Sequence, residues 1–119
     1  MTTIMEQAAK LVAEERQRQV AVEGFDAAHD DQWVNGELAS GAQAYLEIAV
    51  AQADQYYTTS PGPGQIEGVK FGLPNCFPVD VWSEYWWKPG PDRLRNLIKA
   101  AALLQAEIER ELRSRGWGR

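Results

Sequence analysis

The stretch Leu38-Ala39-Ser40-Gly41-Ala42-Gln43-Ala44-Tyr45-Leu46-Glu47-Ile48-Ala49-Val50-Ala51 decides the fold class. Leu38, Ala42, Tyr45 and Ala49 repeat at helical spacing on one side, and Gly41, Ala44, Ile48 and Ala51 on another. Only Gln43, Glu47 and, further on, Asp54 mark a narrow solvated face. A helix apolar nearly all round is a central, buried one. The pattern predicts a helix over 36–57 whose small residues let neighbouring helices approach closely.

Outward from this helix the chain keeps the same character. Upstream, Ile4, Ala8, Leu11, Glu15 and Val22 share one face of a predicted helix over 3–22, with Gly24 as its stop. Glu15 is the odd member, a carboxylate on an otherwise apolar stripe. Downstream, Pro91 and Asp92 open a helix over 91–115, and Gly116 lies past its end. Its apolar face is Leu94, Leu97, Ile98, Ala101, Leu104, Ile108 and Leu112. The expected architecture is a single all-α domain over 1–119, a helical bundle of three long helices. A nearly all-apolar middle helix needs more cover than two neighbours in one chain give, so completion by dimerisation is expected.

All six prolines fall between Pro61 and Pro91. Proline fixes φ and removes a backbone donor, so residues 58–91 read as an insert before the last helix. The insert closes on Val81-Trp82-Ser83-Glu84-Tyr85-Trp86-Trp87-Lys88-Pro89. Asp80 and the residues after it fit a short capped helical turn, with Trp82 above Trp86.

Charge is unevenly shared. Residues 1–87 carry four cations against thirteen acids, and residues 88–119 eight cations against four acids. The acidic front repels duplex nucleic acid, while the basic end suits a small anion or the C-terminus of a helix dipole. No apolar run is long enough to span a bilayer, and the N-terminal residues do not read as a secretory signal. The single cysteine, Cys76, cannot form an internal disulfide, so a cytoplasmic setting is expected.

Two constellations could carry chemistry. The first is acidic: Glu14 and Glu15 on helix one, His29, Asp30 and Asp31 in the connection, and Glu37 opening helix two. Carboxylates that converge need a cation, so Glu15, Asp30, Asp31 and Glu37 are candidate Mg²⁺ ligands. Equally, Asp30, Asp31 and Glu37 sit where acids cap a helix start. Glu15, Glu37 and His29 are the candidate catalytic groups. The second is aromatic and cationic: Trp82, Tyr85, Trp86, Trp87 and Lys88, leading into Arg93, Arg95 and Lys99, with Arg18 as a further cation. Stacking on aromatics plus charge on phosphates is the physics of nucleotide capture; the same tryptophans could instead close a small core.

Glu15-Arg16-Gln17-Arg18-Gln19, Glu23-Gly24, His29-Asp30-Asp31, Trp33 and Gly36-Glu37-Leu38 resemble the first half of phage MazG-like proteins. These belong to the all-α nucleoside triphosphate pyrophosphohydrolase superfamily. Trp86-Trp87-Lys88-Pro89, Arg93, Lys99-Ala100 and Ala106-Glu107-Ile108-Glu109-Arg110 resemble small phage and prophage proteins with the same opening. The enzymes cage Mg²⁺ with E-E-x-x-E and E-x-x-D motifs. Here Glu37 matches one acid of the first motif, Ser40 stands where its last acid belongs, and Asn96 and Lys99 replace those of the second. The resemblance with its incomplete metal motif therefore implies a protein, homodimeric as expected from its middle helix, that binds or sequesters a nucleotide or nucleotide signal without turnover and without a cofactor. Sequestration of a host immune nucleotide is one concrete version. The alternatives are a Mg²⁺-dependent pyrophosphohydrolase and a protein-binding inhibitor that uses the tryptophan insert.

Overall fold

The structure, a computed structural model of the chain, describes residues 2–52 and 89–118. All regular structure among them is helical: α1 (Ile4–Glu23), the single turn α2 (Ala27–Asp30), α3 (Glu37–Gln52) and α4 (Arg93–Ser114). The protein is all-α. The expected continuation of α3 to Tyr57, the turn over 80–86, Cys76, and Trp82, Trp86, Trp87 and Lys88 lie outside the described residues.

Helix boundaries follow local chemistry. Thr3 caps α1 by accepting the Glu6 N–H at 3.0 Å, while Glu6 accepts the Thr3 N–H at 3.3 Å. This reciprocal pairing satisfies two of the donors every helix start leaves open. At the other end Gly24 takes φ 77°, and the Phe25 N–H closes on Gln19 O at 2.9 Å. That left-handed step suits glycine, and it turns Phe25 into the core. Asp26 then caps α2 through the His29 N–H at 2.9 Å. Asp92 caps α4 through the Leu94 N–H at 3.1 Å, and Gly116 ends it with φ 88°.

The core forms where α3 meets α4. Leu38, Ala42, Ala44, Tyr45 and Ile48 pack with Ala100, Leu103 and Ala106, joined by Phe25 and edged by Trp33. Alanines on both helices bring the two backbones close, as their composition predicts.

Two expectations about helix faces require correction. The substantial helix–helix contacts among the described residues all involve α4, which packs on α3, α1 and α2. Along α3 the expected faces are buried, Leu38, Ala42, Tyr45 and Ala49 on one side and Gly41, Ala44 and Ile48 on the other, while Leu46 and Val50 are exposed. By contrast, α4 buries Asn96, Ala100, Ala102, Leu103 and Ala106, and only Ile98 of its predicted apolar face. Leu94, Leu104, Ile108 and Leu112 are exposed. On α1 the buried residues are Glu15, Arg16 and Gln19, whereas Ile4 and Val22 are exposed. The ion pairs described below hold α1 against α4, and the apolar stripes of the two helices line the groove left between them.

Candidate functional site

The interface of α1 with α4 holds a buried carboxylate among cations. Glu15 is only 1% exposed. It accepts from Arg18 Nε and Nη2, both at 2.8 Å, and from Arg95 Nη2. Arg18 also reaches Glu23 at 3.3 Å. Burial pushes the Glu15 carboxyl up, but the Arg18 hydrogen bonds and the charges of Arg18, Arg95 and Lys99 outweigh it, so it titrates below the usual range. The same hydrogen bonds hold the Arg18 guanidinium protonated even more firmly than usual. Lys99 is half-buried on the same flank of α4. Burial lowers its ammonium, Arg95 and Arg18 lower it further, and Glu15 acts in the opposite direction. Its Nζ sits 5.7 Å from the centre of the Tyr45 ring, within cation–π range.

The helix geometry explains the grouping. Glu15 and Arg18 are one turn apart on α1, and Arg95 and Lys99 one turn apart on α4. Glu15 thus occupies the apolar stripe at the point where α4 presents guanidinium and ammonium groups instead of side-chain carbon. Three cations face two carboxylates here, a surplus of positive charge in an otherwise acidic protein.

A second buried network lies beside it. Arg16 donates to Asp30 at 2.8 Å, to Phe25 O at 2.9 Å and to Glu109 at 2.9 Å. Asp30, wholly buried, is also 2.8 Å from His29 Nδ1. Trp33 Nε1 donates to His29 Nε2 at 3.4 Å, a pattern that assigns the histidine proton to Nδ1. The His29 ring stacks on Phe25 at 4.6 Å and meets Trp33 edge-on. Burial raises the Asp30 carboxyl above its usual range despite the opposing pull of His29 and Arg16. Glu109 goes the other way: burial raises it, and the Arg16 and Gln105 hydrogen bonds carry it below.

The remaining sequence candidates are dispersed. Asp31 faces outward to Arg113, Oδ1 to Nη2 at 2.8 Å, and this pair holds the Arg113 guanidinium above its ordinary value. Glu37 accepts the Asn35 N–H at 2.8 Å in the first turn of α3 and is half-buried. Arg93 donates Nε to Ala49 O at 2.9 Å and so ties α4 to α3. No group of three or more acidic, histidine or cysteine side chains among the described residues is placed to hold a metal ion. The convergence of Glu15, Asp30, Asp31 and Glu37 expected from the sequence is replaced by four separate pairings. Asn96, where the resemblance would have an acid, is fully buried. It donates to Gln52 Oε1 and Gly90 O, both at 2.8 Å, and accepts the Gly90 N–H at 2.9 Å. This clip and the Arg16–Glu109 pair were not foreseen; the buried amide and guanidinium carry no short-range motif.

Comparison with known proteins adds no relative: no family model matches the chain, and neither a curated protein nor a solved structure is significantly similar to it.

Proposed function

We propose that the chain is a phage-type nucleotide-binding protein, related to MazG-like proteins, that captures a nucleotide or nucleotide signal without turning it over. The observation that supports this reading is the Glu15 carboxylate surrounded by Arg18, Arg95 and Lys99. The first-helix acid that a Mg²⁺-dependent enzyme would commit to metal is engaged with cations instead. Guanidinium groups grip phosphate oxygens in the same bidentate geometry they use on a carboxylate. A phosphate group can therefore share or take the donors that now serve Glu15. The ligand's base is assigned to Trp82, Trp86 and Trp87, with Lys88 beside them, on sequence grounds alone. The functional unit is proposed to be a homodimer.

Calorimetric titration of a nucleotide panel, with and without Mg²⁺, tests this reading. Binding without product formation is expected, weakened in Arg95→Ala and Lys99→Ala and more so as salt rises. Release of pyrophosphate would support the enzyme alternative. Failure of every nucleotide to bind would remove the proposal.

A further inference from the structure

Leu103 and Ile98 of α4 are buried, but Leu94, Leu104, Ile108 and Leu112 are exposed. Leu94, Leu97, Ala101, Leu104 and Ile108 form a stripe at alternating spacings of three and four, the pattern of a coiled-coil seam. Leu94 is 54% exposed, Leu104 49% and Ile108 52%. Grooves flank the stripe on both sides. One, of about 380 Å³, runs between α1 and α4 and is lined by Ile4, Ala8 and Leu11 with Leu94, Leu97 and Ala101. The other, of about 500 Å³, runs between α3 and α4 and is lined by Ala39, Ala42 and Leu46 with Leu97, Ala101 and Leu104. Leu97 and Ala101 belong to both, so the surface is continuous, and among the described residues no charged side chain lines either groove.

We infer that this face is the homodimer interface, with α4 packed antiparallel on its copy about a twofold axis at Ala101. Three observations select a second copy as the occupant. First, a ridge flanked by grooves on one face is self-complementary, as a twofold contact requires. Rotation about Ala101 sets Leu94 against Ile108 of the partner subunit, and places Leu112 of the partner subunit at the groove beside Ile4 and Leu11. Second, charge fits. Arg93, held at Nε by Ala49 O, and Glu111, paired with Arg110 and Arg115, lie on the same edge of the stripe at opposite ends, and the rotation adds a contact of Arg93 with Glu111 of the partner subunit. A parallel pairing would set like charges together. Third, the exposed apolar area is a large part of what a dimer needs. A stable interface removes about 800 Å² from each partner, and Ile4, Leu46, Leu94, Leu104 and Ile108 expose roughly 500 Å² on their own.

The inference rests on the homodimer proposed above but not on its ligand. It adds a consequence for the site. Arg95 and Lys99 lie on the side of α4 away from the stripe, so each protomer carries its cation cluster complete and outside the contact.

Sedimentation velocity of the ligand-free protein is the test. The 13.3 kDa chain is expected to run at twice that mass at 10 µM. Leu104→Glu/Ile108→Glu, which places carboxylates in the seam, is expected to weaken association at least 100-fold while leaving helicity by circular dichroism unchanged. A second variant does not depend on destabilising the contact: Ala101→Cys, with Cys76→Ser, is expected to give a disulfide-linked dimer on oxidation. A wild-type monomer at 100 µM overturns the inference, whether the stripe is then covered by residues 53–88 or by another protein. So does a dimer that Leu104→Glu/Ile108→Glu leaves intact or that Ala101→Cys does not cross-link. Oligomer size is read without nucleotide, so loss of nucleotide binding in a normal dimer counts against the ligand reading alone.

Discussion

Arg16 Nη2 lies 2.8 Å from Asp30 Oδ2, and both side chains are almost completely removed from solvent. This pair joins the middle of α1 to α2, and through Glu109 to α4. A buried charge left without its partner is far more costly than the intact pair is stabilising. Asp30→Ala is therefore expected to cost about 3–5 kcal/mol, by the usual penalty for breaking a buried ion pair. Urea denaturation followed by circular dichroism measures it; a loss below about 1 kcal/mol, the scale of exposed pairs, would mean that water reaches Arg16.

Glu15 links stability to pH. Its carboxyl titrates below the ordinary glutamate value of 4.5, so its contribution is complete above that value and is lost as pH falls through the lower folded one. Glu15→Gln is accordingly expected to be less stable than wild type at pH 7, with the difference closing as the medium is acidified below pH 4.5. Melting temperatures of both proteins between pH 7 and pH 3 test this. A difference that is constant across the range would contradict a charged, ion-paired Glu15.

Magnesium should have little to hold. A metal that bound only the native state would raise its melting temperature in proportion to the logarithm of concentration. With Glu15 engaged by arginines, 10 mM Mg²⁺ is expected to leave the melting temperature unchanged within a degree. A saturable rise abolished by Glu37→Gln would favour the hydrolase alternative.

Asn96 is the keystone of the contact between Gln52 of α3 and the start of α4. Asn96→Ala removes three hydrogen bonds at a fully buried position and leaves the Gln52 amide oxygen without its donor. An unsatisfied buried polar group costs about 1–3 kcal/mol, and that loss of stability is expected in thermal or urea unfolding. Asn96→Asp, the acid the enzyme motif would carry, is expected to destabilise as well, because it replaces a donor with a charge facing two oxygens.

The three long helices were legible, and so were the ends written in short-range chemistry: Gly24, Asp92 with Pro91, and Gly116 stand where α1 stops and α4 starts and stops; the single turn α2 was not, because four residues are too few to show a helical period. The singularity of Glu15 was legible too, as a carboxylate on an apolar stripe. Which way a stripe faces was not. Periodicity groups Leu94, Leu104 and Ile108 on one side of α4, but their burial depends on which helix arrives there. Here α1 arrives on one flank of the stripe and α3 on the other, so the stripe lies along the grooves beside them. Nor does adjacency in sequence imply adjacency of side chains. Asp30 and Asp31 are consecutive, yet one points into the core toward Arg16 and the other outward to Arg113.

The clip at Asn96 has a consequence for how such a chain can change over time. Gln52 ends α3, Gly90 and Pro91 precede α4, and Gln52 Nε2 donates to both of their carbonyls, at 3.4 and 3.0 Å. The helical frame is thus tied together at residue 52 and at residues 90–91. Groups that share one hydrogen-bond network do not contribute independently. Gln52 and Asn96 can therefore be exchanged only together, because a change at either one alone strands the polar groups of the other in the core.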